Sequence, residues 1–257
     1  MGKRAKTSTL EVFAAILVLL IFSGFYFFLA PYINEDDSEK NTAAEHTAAV
    51  SQKQAEEPKI EKNKQEKPDS EYLILVNKKH RLEKRERPED LKQVEQAVKD
   101  RPKKQQKLRA AAAAAFRRLT AAGEKEGCTI RLTTGYRSYA YQKKLYEQYV
   151  KTDGRKKADQ YSARPGHSEH ETGLCADVSA PSVDYRLTKK LAKTKEGKWL
   201  ARNAHKYGYI IRYPKGRQDI TGYQYEPWHI RYVGKEAAKE IYEKDLTLEE
   251  YLGDVDK

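Results

Sequence analysis

Apolar positions along the 257-residue chain fall into three regimes. Residues 12–29 (VFAAILVLLIFSGFYFFL) form an uncharged apolar run close to the ~20 residues that a helix needs to cross a bilayer. Residues 35–70 are rich in Glu, Lys, Gln, Ala, Asp and Ser and almost free of aromatic side chains. Such a stretch buries too little apolar area to offset chain entropy and is expected to stay a solvated, disordered tether. From Tyr72 onward apolar and polar residues mix as in a globular domain. The pattern predicts a short N-terminus (1–9), a membrane-spanning anchor (10–33), an extracytoplasmic linker (34–70) and one folded domain (71–257).

Within the domain, residues 73–76 (LILV) are a short apolar run, and Pro88-Glu89-Asp90 predicts a helix entry. The Ala-rich stretch 108–127, ending in Gly127, predicts a helix packed closely on its small face. Residues 129–134 (TIRLTT) alternate in a strand pattern that Gly135 breaks, and 139–151 place large side chains at helical spacing up to Asp153-Gly154. Further strands are predicted at 174–179, 209–213 and 230–233, and helices at 195–207 and 236–243. These elements do not alternate as in a doubly wound parallel sheet. They predict an α+β domain with a small mixed or antiparallel sheet and flanking helices.

Lys3, Arg4 and Lys6 precede the apolar run, and basic residues on the short side hold that end in the cytoplasm. The chain therefore reads as a single-pass membrane protein with its folded domain outside the cell membrane. The competing reading is a cleaved signal peptide, whose apolar stretch is only ~7–15 residues and ends at a small-residue site. Here the run ends in Phe27-Phe28-Leu29-Ala30-Pro31-Tyr32, which favours a retained anchor.

The formal charge of +12 raises nucleic acid as a partner. The topology argues against it: an extracytoplasmic basic surface meets anionic envelope polymers or lipid headgroups, or is simply soluble. With two cysteines, Cys128 and Cys175, the domain is not a disulfide scaffold, and spacing does not decide whether they pair.

Chemistry concentrates in two places. Residues 165–177 (PGHSEHETGLCAD) bring His167, His170 and several carboxylates around a glycine-marked turn, and Glu226-Pro227-Trp228-His229 adds a histidine three residues after a carboxylate. Imidazole and carboxylate suit Zn²⁺, and a catalytic zinc keeps three protein ligands and one open position. Pro227 opposes a continuous helix, placing Glu226 and His229 on a turn or strand edge.

The ordered string Ser168-Glu169-His170-Glu171-Thr172-Gly173-Leu174-Cys175-Ala176-Asp177, followed by Glu226-Pro227-Trp228-His229, resembles the VanY-type D-alanyl-D-alanine carboxypeptidases of the LAS group of zinc metallopeptidases. The likeness runs from about residue 73 to 234 and includes Gly135-Tyr136-Arg137-Ser138, residues 162–167 and Tyr207-Gly208-Tyr209. The resemblance implies a LAS-type (hedgehog/D,D-peptidase-like) fold and one Zn²⁺ held by His170, Asp177 and His229, with Glu226 as catalytic base. It also implies that Arg137, Gln142 and Ser168 hold the substrate, a peptidoglycan stem peptide losing its C-terminal D-Ala. Its L,D-carboxypeptidase branch, acting on the tetrapeptide stem, is the runner-up. A non-catalytic wall-binding module is less favoured, because Glu226 and all three ligand candidates are present.

Other residues read more plainly. His167 is expected at the surface, Glu169 and Glu171 in solvated or supporting roles, and His205 in packing or at the surface of a helix. Cys175 is expected on the Asp177 face of a strand as a small buried side chain rather than a fourth ligand. Tyr136, Tyr209 and Tyr225 are the preferred groove aromatics.

Overall fold

The computed structural model describes residues 69–82 and 87–255. The expected anchor and most of the linker lie outside them, and among the described residues no helix is long and apolar enough to cross a membrane.

The Ala-rich segment forms α1 (Ala110–Lys125), whose buried positions Ala112, Ala115, Phe116, Leu119, Thr120 and Gly123 make one stripe at helical spacing. Pro88-Glu89-Asp90 does not open a helix. It leads into strand β1 (Leu91–Gln93), which pairs antiparallel with β2 (Lys107–Arg109). The Asp90 carboxylate is used elsewhere: it accepts from Arg109 Nε at 3.1 Å and from the Ala110 amide at 3.3 Å. Asp90 thus serves the first turn of α1, whose amides have no partner within the helix.

The main sheet has four antiparallel strands in the order β3 (Arg131–Thr134), β4 (Cys175–Ser179), β6 (Glu226–Tyr232) and β5 (Tyr209–Tyr213). Helices α2 (Tyr139–Asp153) and α3 (Arg155–Tyr161) follow β3, and α4 (Lys195–Asn203) precedes β5. A short α5 (Gln218–Thr221) lies between β5 and β6, and α6 (Lys235–Glu243) and α7 (Leu248–Leu252) close the chain. The α+β architecture with an antiparallel sheet is as the sequence pattern predicts. The last strand starts four residues earlier than expected, and so includes both Glu226 and His229.

Strand alternation separates the two faces of this sheet. Leu132, Ala176, Val178, Tyr209, Ile230 and Tyr232 join the helical core with Phe116, Leu119, Trp199 and Leu200. The alternate residues Cys175, Asp177, His229 and Arg231 therefore point to the opposite face, which carries the polar chemistry.

Candidate metal centre and substrate cleft

His170 sits in a 3-10 turn (Glu169–Thr172) that ends at Gly173 in the left-handed region, φ 68°. A β-carbon there would lie 3.0 Å from Leu91 Cδ2, so glycine fits both the turn and the close packing. Asp177 on β4 stands directly opposite His229 on β6. Four residues of β6 span what two residues of β5 cover between Ile211↔Ile230 and Tyr213↔Glu226. This irregularity, at a proline that cannot donate to the ladder, brings Glu226 back beside His229.

The hydrogen bonds decide which ring nitrogens face inward. His170 Nδ1 lies 2.6 Å from the Gly135 carbonyl and donates to it, which leaves Nε2 free, 3.2 Å from Asp177 Oδ2. A β-carbon on Gly135 would stand 2.3 Å from the Lys107 carbonyl, so glycine lets the backbone come this close. His229 Nδ1 lies 3.0 Å from Asp177 Oδ1, and its Nε2 lies 3.3 Å from Glu169 Oε2. Two imidazole nitrogens and a carboxylate thus converge in a buried pocket, a donor set that fits Zn²⁺. Glu226 Oε2 is 3.9 Å from His229 Nδ1, with its side chain 22 % exposed. Cys175 belongs to the same cluster, with donor atoms of His170, Cys175 and His229 all within 4.8 Å of one another.

Electrostatics without the ion match such a site. Burial would raise Asp177, but His170 and His229 hold it well below the usual carboxylate range. His170 is pushed up to about 9: burial and Arg137 oppose its charge, and Cys175 and Asp177 outweigh them. Burial would also lower His229, yet Cys175, Asp177 and Glu169 hold it well above the ordinary imidazole value. Glu226 is raised to about 7, chiefly by burial, with His229 pulling the other way.

Arg137, after β3, donates from Nη2 to Asp177 Oδ2 at 3.2 Å and from Nη1 to Gln142 Oε1 at 3.4 Å. Buried Gln142 is itself fixed by donating to the Ala163 carbonyl at 2.8 Å. Arg137 and Ser168 line a cleft of about 210 Å³ together with His170, Asp177 and His229.

The aromatic wall of this cleft differs from expectation. Tyr149, Tyr161, Tyr213, Tyr223 and Trp228 line it. Tyr209 is fully buried with its hydroxyl on the Ala112 carbonyl, and Tyr225 borders a separate cavity beside Tyr242. Tyr136 lines a larger neighbouring cavity of about 730 Å³ on another side of Arg137. His167 is half-buried rather than at the surface, with Nδ1 2.8 Å from the Asn77 carbonyl. Glu169 and Glu171 are buried, not solvated. Glu171 accepts from the Gly166 amide, and Glu169 meets Arg212 and Arg231 as well as His229. The sequence signal for that cluster is an arginine inside each of two apolar strands (IIRY and HIRY), because a buried guanidinium requires a buried carboxylate. Of the two roles open to His205, packing is the one found: its ring stacks on Tyr242. Both cysteines are free and buried.

Comparison with known proteins gives this geometry its context. The sequence profile of VanY, D-alanyl-D-alanine carboxypeptidase, matches residues 105–235. The chain belongs to the VanY carboxypeptidase family. YodJ of Bacillus subtilis (strain 168) is 46 % identical over 187 residues, covering 72 % of this chain and 68 % of that protein. Among solved structures, the LD-carboxypeptidase LdcB is 44 % identical with a TM-score of 0.69, covering 73 % of this chain and 88 % of the other. A vancomycin-resistance D,D-pentapeptidase VanY variant in complex with Zn(II) is 29 % identical with a TM-score of 0.59, covering 71 % and 99 %. This VanY-family chain is accordingly a zinc carboxypeptidase.

Proposed function

We propose that the chain removes the C-terminal D-Ala from peptidoglycan stem peptides, with zinc held by His170 Nε2, Asp177 and His229 Nδ1 and with Glu226 as base. The observation that carries this reading is the convergence of two inward-facing imidazole nitrogens and one carboxylate, with a second, proton-accepting carboxylate 3.9 Å from His229 Nδ1. When bound, zinc polarises the scissile carbonyl and acidifies water.

The chain's own groups do the rest. Glu226, raised to about 7, is poised to take a proton from the attacking water and return it to the departing amine of D-Ala. Arg137, braced by Gln142, presents a guanidinium to the substrate's terminal carboxylate, and its planar fork suits that group. Ser168 lines the same cleft and contacts the peptide, while the tyrosines and Trp228 form its apolar walls.

The test is D-Ala release by the zinc-loaded full-length chain from pentapeptide and tetrapeptide stems, followed by mass spectrometry. Turnover of the pentapeptide supports cleavage of the D-Ala-D-Ala bond, and no release from either substrate overturns the proposal. A second reading has a specific observation in its favour. The likeness to the LD-carboxypeptidase LdcB, at TM-score 0.69, exceeds that to the D,D-pentapeptidase, at 0.59. Preferential tetrapeptide turnover would select the L,D bond.

We further infer a cell-membrane location with the domain outside, supported by the apolar run at 12–29 behind Lys3, Arg4 and Lys6. The charge of +12 suits contact with anionic envelope polymers. Membrane fractionation and protease accessibility in intact cells test the topology: a soluble, released chain would overturn it.

A further inference from the structure

The family profile spans residues 105–235, yet groups outside those limits reach the metal centre through a line of buried charges. It begins at His229, whose Nδ1 faces Asp177 and whose Nε2 lies 3.3 Å from Glu169 Oε2. A neutral imidazole carries one N–H, so a proton held at Nε2 leaves the lone pair on Nδ1. The other oxygen of Glu169 accepts from Arg212 Nε and Arg231 Nη1, each at 2.7 Å. Arg212 places its two remaining nitrogens on the carboxylate of Glu249 in α7, at 2.8 and 2.7 Å. Arg231 Nη2 donates to the carbonyls of Tyr72 and Ile74, and Asn77 Nδ2 donates to Glu249 Oε1 at 3.1 Å.

The side chains of Glu169, Arg212, Arg231 and Glu249 are at most 2 % exposed. Such a network is weak evidence of a gain in stability, because well-packed apolar residues often serve a fold equally well or better. What apolar residues could not do is hold one nitrogen of His229 protonated and aim the other.

We propose that Glu169 is a positioning residue that fixes the His229 ring with Nδ1 toward the metal, and that Glu249 of α7 holds Glu169 in place through Arg212. The proposal rests on the reading of His229 as a zinc ligand. Its consequence is that the last helix, beyond the family profile, supports the metal site.

The test measures Zn²⁺ and Co²⁺ affinity of the full-length chain by competition with a chromophoric chelator, together with the visible spectrum of the Co²⁺ form. The parent is compared with Glu169→Gln, Glu249→Gln and Leu119→Ala. Leu119 is fully buried in α1 within the helical core, so its loss weakens the fold without touching the network. Glu169→Gln should weaken metal binding about 10- to 100-fold and alter the Co²⁺ spectrum. Glu249→Gln should shift both in the same direction by less. Leu119→Ala should lower the thermal midpoint while keeping parental affinity and spectrum.

Parental affinity and spectrum in both glutamate variants would overturn the proposal. An equal loss in Leu119→Ala would also overturn it, because the network would then contribute only general stability. Should Glu169→Gln fail to fold, Glu249→Gln, which does not contact His229, decides the matter. A parent chain that binds neither metal would instead remove the zinc-ligand reading, which separates the two failures.

Discussion

Replacing Glu226 by glutamine keeps the side chain's size and removes its ability to accept a proton. As general base, Glu226 should account for roughly 10²- to 10⁴-fold in kcat, or about 3 to 5 kcal/mol of barrier. KM should move little, because the proposed substrate contacts lie on Arg137 and Ser168. Zinc should stay bound, since Glu226 stands 3.9 Å from His229 Nδ1 whereas Asp177 is within 3.2 Å of both histidines.

The same substitution has a stability signature of opposite sign. The folded pKa of Glu226 is raised to about 7 from 4.5, so ionising it costs the fold stability. That cost is absent below pH 4.5, grows as pH rises, and is complete above about 7. The difference corresponds to roughly 3 kcal/mol at pH 8. The zinc-free glutamine variant should therefore melt about 5 to 10 °C above the zinc-free parent at pH 8, with the two converging near pH 4.5. The assays are steady-state hydrolysis of a stem peptide with bound zinc quantified, and melting curves of the zinc-free proteins at both pH values. A variant that cleaves at the parental rate removes Glu226 from the mechanism. Equal midpoints at pH 8 would refute the burial argument.

Three further outcomes are expected. In the metal-free protein His170 is pushed up to about 9, and Cys175, Asp177 and Glu169 hold His229 above its ordinary value. The raised value of His170 stabilises the metal-free fold fully below about pH 6.5, and that contribution is lost as pH rises through about 9. Zinc must displace imidazole protons, so its affinity should climb across that window with proton release measurable by calorimetry in different buffers; a flat profile refutes this. Arg137→Lys loses the planar fork and should raise KM on the order of 10-fold or more, with a smaller effect on kcat; a parental KM would remove Arg137 from substrate binding. Cys175→Ala should keep one zinc per chain by elemental analysis, and loss of the metal would make the thiol a ligand rather than packing.

The elements that sequence patterning located best are those whose burial is simple. The α1 stripe and the strand at Tyr209–Tyr213 follow directly from helical spacing and a compact apolar run. The first strand, Leu91–Gln93, is not legible, because Pro88-Glu89-Asp90 looks locally like a helix start, whereas Asp90 is committed to a helix twenty residues later. At the site, the residues expected from the motif, His170, Asp177, His229, Arg137 and Ser168, line one cleft, with Gln142 and Glu226 directly adjoining it. The cleft aromatics were not legible. The positions of Tyr213 and Glu226 depend on a strand irregularity that shifts register, and strand periodicity carries no trace of it. The role of Glu169 required knowing that Arg212 and Arg231, on neighbouring strands, point at the same carboxylate.

Asp177 and His229 face each other across the two inner strands of the sheet and lie 52 positions apart in sequence. An ion gripping both ties distant parts of the chain together as a covalent cross-link would, in a protein whose two thiols are both free. The loop so closed is long enough that a disulfide of that span would be worth about 4 kcal/mol in chain-entropy terms. Zinc held by the proposed ligands would be a fastener of the fold as well as a reagent, and a chelator should act on this protein as a reductant acts on a disulfide-bonded one.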